Sequence, residues 1–248
     1  MERNYDFRQE MLQFHRPGLR WAGYIPNQND LKINDGYSIV YLADSDEVLE
    51  TAVKDLQDYL RISMGISVKL CPVAAIPEEI RNCILVGTKE QLQQAWEHDP
   101  VAASYEIKVL SDAVVICGFD TRGCAQGIYR LEDAMTSIHA PYLKIESIHY
   151  APAFSPRMVH SGFGEEDYPD AHLSAIAHAG MDAILLMVTG VNQTIIGKHD
   201  FNELVKRAAK YGLDVYIYSK INTWKHPDDE DALEFYEKAF GEVFKQCP

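Results

Sequence analysis

The sequence predicts an α/β fold in two parts, a mixed-sheet unit followed by an alternating βαβαβα segment. Three observations lead there. Continuous apolar runs such as Cys83-Ile-Leu-Val-Gly-Thr88 have the length and composition of buried strands. Two prolines in Ala151-Pro-Ala-Phe-Ser-Pro156 break the pattern and mark a boundary. Beyond it two helices end alike, in His178-Ala-Gly-Met-Asp-Ala-Ile184 and Lys210-Tyr-Gly-Leu-Asp-Val-Tyr216: a glycine cap, an apolar residue, an aspartate, then a strand.

Residues 1–36 are polar and punctuated by Pro17, Gly18, Pro26 and Gly36, and read as an irregular arm with at most one short helix. The first strand is Tyr37–Ala43, by its β-branched and aromatic content. Asp44 or Ser45 then caps a helix whose apolar residues (Val48, Leu49, Ala52, Val53, Leu56, Tyr59, Leu60) recur at helical spacing up to Gly65. Strands follow at Ser67–Val73 and Cys83–Thr88, with a helical pattern over Lys89–His98. Ser104–Val109 and Ala113–Gly118 form a hairpin, Thr121–Met135 a helix, and Leu143–Tyr150 a further strand or extended link. Residues 37–150 are therefore one α/β unit.

After the boundary the expected order is strand Arg157–Ser161, helix Asp170–Ala179, strand Ala183–Val188, helix Phe201–Tyr211, strand Leu213–Ser219 and helix Asp229–Phe244. Parallel strands with crossover helices are the economical arrangement. The repeated corner fits a partial, three-unit TIM (β/α) barrel over 151–248 better than a small doubly wound sheet. Three such units leave an open parallel edge, so self-association through that edge is expected.

Composition bounds the function. The chain has 248 residues and a net charge of −14, which offers no electrostatic case for nucleic acid or an anionic membrane. No apolar run approaches the roughly 18 residues of a membrane span. The opening MERNYDFRQEMLQF lacks a signal-peptide core, and the expected location is the cytoplasm. Five cysteines (Cys71, Cys83, Cys117, Cys124, Cys247) include no CxxC pair, and Cys83 and Cys117 read as buried free thiols. The expectation is no metal site and no cofactor.

The stretch Gly118-Phe-Asp-Thr-Arg-Gly-Cys-Ala-Gln-Gly127 raises one alternative, a phosphate cradle in a small nucleotide-binding protein. Its glycines are followed by no lysine, their spacing is not GxGxxG, and the helix follows a hairpin and not a clean βαβ unit. A wider pattern carries more weight. Gly118, Asp120, Arg122, Gly123, Gly127, Leu131 and Asp133, then Pro152, Phe154 and Arg157-Met158, give the order hairpin, glycine-rich helix, proline link and Arg-led strand. Over roughly 37–220 this resembles the N-terminal domain and barrel start of β-N-acetylhexosaminidases and α-glucuronidases. The resemblance implies a glycoside hydrolase-like protein acting on carbohydrate, and a glycine stretch that is a structural turn, capped by Asp120 or Thr121. It also implies that the acidic pair lies on later barrel strands, beyond Pro248, so this chain is expected to be an inactive piece of a longer glycosidase. The other reading is a carbohydrate-binding or scaffold protein that keeps the fold without catalysis.

Four residues are the candidate substrate contacts: Arg157, His160, Asn222 and Trp224. The resemblance matches Arg157 to an arginine that holds sugar hydroxyls, and a planar five-donor fork suits vicinal hydroxyls or a carboxylate. The bland alternative for it is a salt bridge to the first unit. His160, with Ser161 and Gly162, stands where the first barrel strand meets its C-terminal face. Asn222 and Trp224, with Lys220, follow the third strand, where a tryptophan can stack on a pyranose. Glu165, Glu166 and Asp167, on the loop after the first strand, and Thr189 and Asn192, after the second, are further candidates. His172, His178 and His199 are scattered and read as surface histidines, and no GxSxG marks a serine hydrolase.

Overall fold

In the computed structural model, which describes residues 13–160, 168–190, 192–194, 197–219 and 225–246, the chain divides into two units, Met1–Ser155 and Pro156–Pro248. The strands of the first unit are β1 (Asp30–Lys32), β2 (Ser38–Leu42), β3 (Lys69–Val73), β4 (Cys83–Thr88), β5 (Tyr105–Val109), β6 (Ala113–Gly118), β7 (Tyr142–Lys144) and β8 (Ser147–Tyr150). Six of them make one sheet in the order β3-β2-β4-β6-β5-β8. The β3, β2, β4 and β6 neighbours run parallel, and β5 is antiparallel to both β6 and β8.

Register assigns each face its core. Ile39, Ile84 and Val114 are in line across the sheet and wholly buried. This face, continued by Ile116, carries helices α1 (Glu47–Ile62) and α2 (Thr121–Ile138). Helix α1 starts at Asp46, whose side chain accepts from the Leu49 amide at 3.0 Å, and Glu47 and Glu50 complement its dipole. Its buried residues Leu49, Ala52, Val53, Leu56, Tyr59 and Leu60 form one stripe at helical spacing. The opposite sheet face has a second apolar cluster of Val40, Cys83, Leu85 and Ala113, covered by Val73, Ile76, Ile80 and Leu92.

Three local expectations are corrected. Residues 89–93 make a turn and 94–98 follow without helix, because Gln93 takes a left-handed backbone with φ of 51° and ends the turn after one cycle. The segment 143–150 is not one strand: β7 and β8 serve different partners, β1 and β5. The N-terminal arm is not wholly irregular, since Asp30–Lys32 pairs antiparallel with Tyr142–Lys144.

The second unit has β9 (Met158–His160), α3 (Asp170–His178), β10 (Ala183–Gly190), β11 (Gln193–Thr194), β12 (Gly197–Lys198), α4 (Phe201–Lys210), β13 (Asp214–Ser219) and α5 (Ala232–Gln246). Strand β10 runs parallel to β9 on one side and β13 on the other. The short antiparallel β11 and β12, which the sequence pattern does not signal, extend this sheet after β10. Cys71, Cys83, Cys117 and Cys124 are all free thiols. Burial pushes the Cys117 thiol up to about 11, and Cys124 further, so neither is a thiolate at neutral pH. No helix among the described residues is long and apolar enough to cross a membrane.

Helix α2 approaches the sheet more closely than a side chain allows. A Cβ at position 123 would stand on the Ser104 carbonyl oxygen, and one at 127 would lie 2.5 Å from Ile116 Cγ2. Gly123→Ala is therefore expected to cost about 3 kcal/mol, because backbone cannot yield to it. Urea denaturation measures this, and an unchanged midpoint would disprove the close contact.

Candidate functional site

The glycine stretch uses amides of its own helix start in a cap. The Asp120 carboxylate accepts from the Gly123 amide at 2.7 Å and from the Ala103 amide at 3.0 Å. The Cys124 amide bonds back to the Asp120 carbonyl at 3.0 Å. Two of the donors a phosphate would need at this helix start, the Gly123 and Cys124 amides, are taken by the protein's own cap. The stretch is a turn that seats α2, with Asp120 as the capping residue.

In the second unit, one polar pair stands at the strand starts. The Arg157 amide donates to Asp182 Oδ1 at 2.5 Å, and its side-chain Nε donates to Asp182 Oδ2 at 3.1 Å. Both side chains are about nine-tenths buried. The backbone joins in: the Asp182 and Ala183 amides reach the Arg157 carbonyl at 3.0 and 3.2 Å, and the Asp214 amide reaches the Asp182 carbonyl at 2.9 Å. The arginine's ionic partner is thus the aspartate of the first αβ corner, within its own unit. The second corner looks the same in sequence, but its Asp214 sits opposite Ala183 and is exposed. The two corners are offset by one residue across the sheet.

That register sorts the three parallel strands into two faces. Ile184, Leu186 and Val188 are buried on one side, together with Leu173, Ile176 and Ala177 of α3 and Phe201, Leu204 and Ala208 of α4. The other side presents Met158 and His160 from β9, Leu185 and Met187 from β10, and Tyr216 and Tyr218 from β13. His160, Leu185 and Tyr216 are in line, and Met187 faces Tyr218. His160 is exposed, and Tyr216 and Tyr218 are 43% and 47% exposed, high values for tyrosines on consecutive positions of one strand face. The result is an open patch of imidazole, phenol and apolar surface.

Of the sequence candidates, His160 lies in this patch and Arg157 lies one residue before its strand. Asn222 and Trp224 lie outside the described residues, as do Ser161, Gly162, Glu165, Glu166, Asp167 and Lys220. Thr189 is exposed, with Oγ1 at 3.4 Å from the Gln193 and Thr194 carbonyls. Asn192 uses its Oδ1 to accept from the Phe201 amide at 3.0 Å, a structural task at the entry of α4. The His178 ring Nδ1 donates to the Ser174 carbonyl at 2.8 Å within its own helix. Among the described residues, His172, His178 and His199 belong to no group with ligand spacing; the group that has it is His15, Asp55 and Glu132 in the first unit. Tyr216 and Tyr218 were the residues to find, and the signal was the alternation in Asp214-Val-Tyr-Ile-Tyr218.

The architecture is a glycoside hydrolase-like fold, the fold of hydrolases that act on carbohydrate. The structure is similar to the GH20 β-N-acetylhexosaminidase of Streptomyces coelicolor A3(2), with a TM-score of 0.63 and 16% identity, covering 92% of this chain and 56% of that one. A variant β-hexosaminidase of Streptomyces plicatus, solved with its product GlcNAc, matches with a TM-score of 0.60 and 14% identity over 90% of this chain and 55% of that one. A family GH115 4-O-methyl-α-glucuronidase with specificity for decorated arabinogalactans matches with a TM-score of 0.55 and 13% identity over 88% of this chain and 35% of that one. The chain thus spans little more than half the length of the hexosaminidases. No protein-family model matches the chain, and no curated protein matches its sequence.

Asp182→Ala strands the Arg157 guanidinium in the interior, with an expected loss of about 3–5 kcal/mol of stability. Chemical denaturation of the single variants and of the Arg157→Met/Asp182→Leu double variant checks this. The double variant recovers most of the loss if the pair is the cause.

Proposed function

We propose that this chain supplies the accessory α/β unit and the first three (β/α) units of a TIM barrel in a protein of the glycosidase kind, and that its role here is to bind carbohydrate. The observation that carries the reading is the open face of β9, β10 and β13. In a barrel it would line the interior, where side chains from successive strands meet. Aromatic faces and a ring nitrogen suit a pyranose, whose axial C–H groups pack on phenol rings while its hydroxyls take hydrogen bonds. Hydrolysis of a glycosidic bond uses two carboxyls roughly 5–10 Å apart. Among the described residues no strand of this sheet ends in Asp or Glu, and the acidic pair that the resemblance implies would lie on later strands of such a barrel.

Arg157 enters through the part of its fork that Asp182 does not use. Nη2 is buried and makes no hydrogen bond among the described residues, so it has donors to offer a sugar hydroxyl or a uronic carboxylate. Asn222 and Trp224 are proposed as further contacts on the loop after β13.

Titration of the labelled chain with N-acetylglucosamine and with glucuronic acid, followed by amide chemical shifts, tests the proposal. Saturable shifts centred on His160, Tyr216 and Tyr218 are expected with one of the two sugars. Tyr216→Ala and Tyr218→Ala should weaken them at least tenfold at unchanged melting temperature. No shifts with either sugar would overturn the reading. Arg157→Lys keeps the charge and loses the fork, and an unchanged affinity would leave Arg157 as a structural pin alone. Release of p-nitrophenol from an N-acetyl-β-glucosaminide is expected to stay at background.

A further inference from the structure

Two helices do not cover all of the six-stranded sheet. Strands stand about 4.8 Å apart and a helix is about 10 Å across, so α1 and α2 roof about four strands of the six. The outer strands β5 and β8 are left over. Ile107 of β5 pairs with Ile116 on one side and with Ile148 of β8 on the other, so all three share the helix-bearing face. Over this end the face is closed by Tyr142 and Leu143 of β7 and by Tyr24 of the arm. A cavity of about 320 Å³ remains between them and α2. Small-molecule sites begin at about this size, roughly 300 Å³.

The cavity has an apolar floor and a charged mouth. Ile107, Val109, Leu131 and Leu143 line it and are between 2% and 5% exposed. Ile138 and Ile148 are half-buried, and Arg130 and Lys144 are exposed. Arg130, Ala134 and Ile138 follow at four-residue steps along α2 and so make one edge of the opening.

The polar groups of the lining are not equivalent. The Asp30 carboxylate accepts from the Tyr24 hydroxyl at 3.2 Å, and from the Asn27 backbone and side-chain amides at 2.8 and 3.2 Å. Glu146 accepts from the Lys144 ammonium at 2.6 Å. Arg130 makes no hydrogen bond and no ion pair among the described residues, and the Tyr142 hydroxyl makes no hydrogen bond there. A guanidinium fork and a phenol O–H, both lining the same cavity, are thus open to an acceptor.

We propose that this cavity binds a small amphipathic anion, an aliphatic or aryl chain ending in one carboxylate. The chain lies on Ile107, Val109 and Leu131, and the carboxylate stays at the mouth with Arg130. A planar guanidinium matches a carboxylate in a way that a point charge does not. Neither acidic side chain of the lining competes for it, since Asp30 and Glu146 have their own donors. Both halves of the ligand are needed: an alcohol of the same length gains the floor alone, and a short acid gains the arginine alone.

The test adds butanoate, hexanoate, octanoate and 1-octanol in turn to the isotope-labelled chain and follows amide chemical shifts. Saturable shifts at Ile107, Val109, Leu131 and Ala134 are expected with octanoate, with affinity rising about fourfold per methylene along the acids. Octanoate should bind at least fivefold more tightly than 1-octanol. Arg130→Met keeps an unbranched stem and removes the fork, and should abolish that preference while leaving 1-octanol unchanged. Ala134→Phe puts a ring into the opening and should stop both ligands; the exposed Arg130 position decides the matter if this variant fails to fold. The site is overturned if the shifts gather elsewhere, as at Tyr216 and Tyr218, or if affinity does not grow with chain length. It is equally overturned if Arg130→Met binds octanoate as the parent does.

Discussion

Helix α2 can lie where it does only because positions 118, 123 and 127 carry no side chain. The contact at Gly123 is with the backbone of Ser104, at the start of β5, and the contact at Gly127 is with Ile116 of β6. The helix is thereby pressed onto the seam where the parallel and antiparallel parts of the sheet join. Much else in the first unit follows from this depth. Tyr59 of α1 reaches the α2 backbone, so α1 takes its place from α2. Leu131 and Met135 are fully covered, and Glu132 is carried inward with them. A carboxylate sits in this interior because the helix that bears it has no room to turn it out.

The second unit is organised by a different device. Its first strand, β9, is three residues long and none of them is fully buried, so apolar burial does little to set its register. Asp182 supplies the missing information. It accepts from both the backbone and the side chain of Arg157, while its own backbone joins β9 to β13. One residue therefore fixes three strand starts, and through them decides that Tyr216 and Tyr218 share a face with His160.

Legibility in the sequence tracked how local the cause was. The stripe of α1 and the buried strands β4 and β6 were readable because period and chain neighbours determine them, whereas the cap of α1 is Asp46 and not the expected Asp44 or Ser45. The strand that follows Arg157 was readable as part of a pattern with a known resemblance. What failed was non-local. Residues 89–98 have helical composition, yet Gln93 ends the turn. Leu143–Tyr150 reads as one strand, yet two different partners divide it. The partnership of Arg157 with Asp182 could not be seen, since the two identical corners gave no hint that only one aspartate would be buried. His15, Asp55 and Glu132 each look ordinary in sequence, and only the fold brings them together.

The pairing of Asp30–Lys32 with Tyr142–Lys144 has a bearing on how the chain matures. Strand β1 is synthesised before the sheet, yet its strand partner emerges from the ribosome more than a hundred residues later. Until then the arm has no ladder to join, while β2, β3, β4 and α1 can already associate. The arm therefore closes over a largely assembled sheet, as a strap closes a finished package. Long-range closures of this sort are slow steps. Strand β1 is thus among the last elements of its unit to find its place.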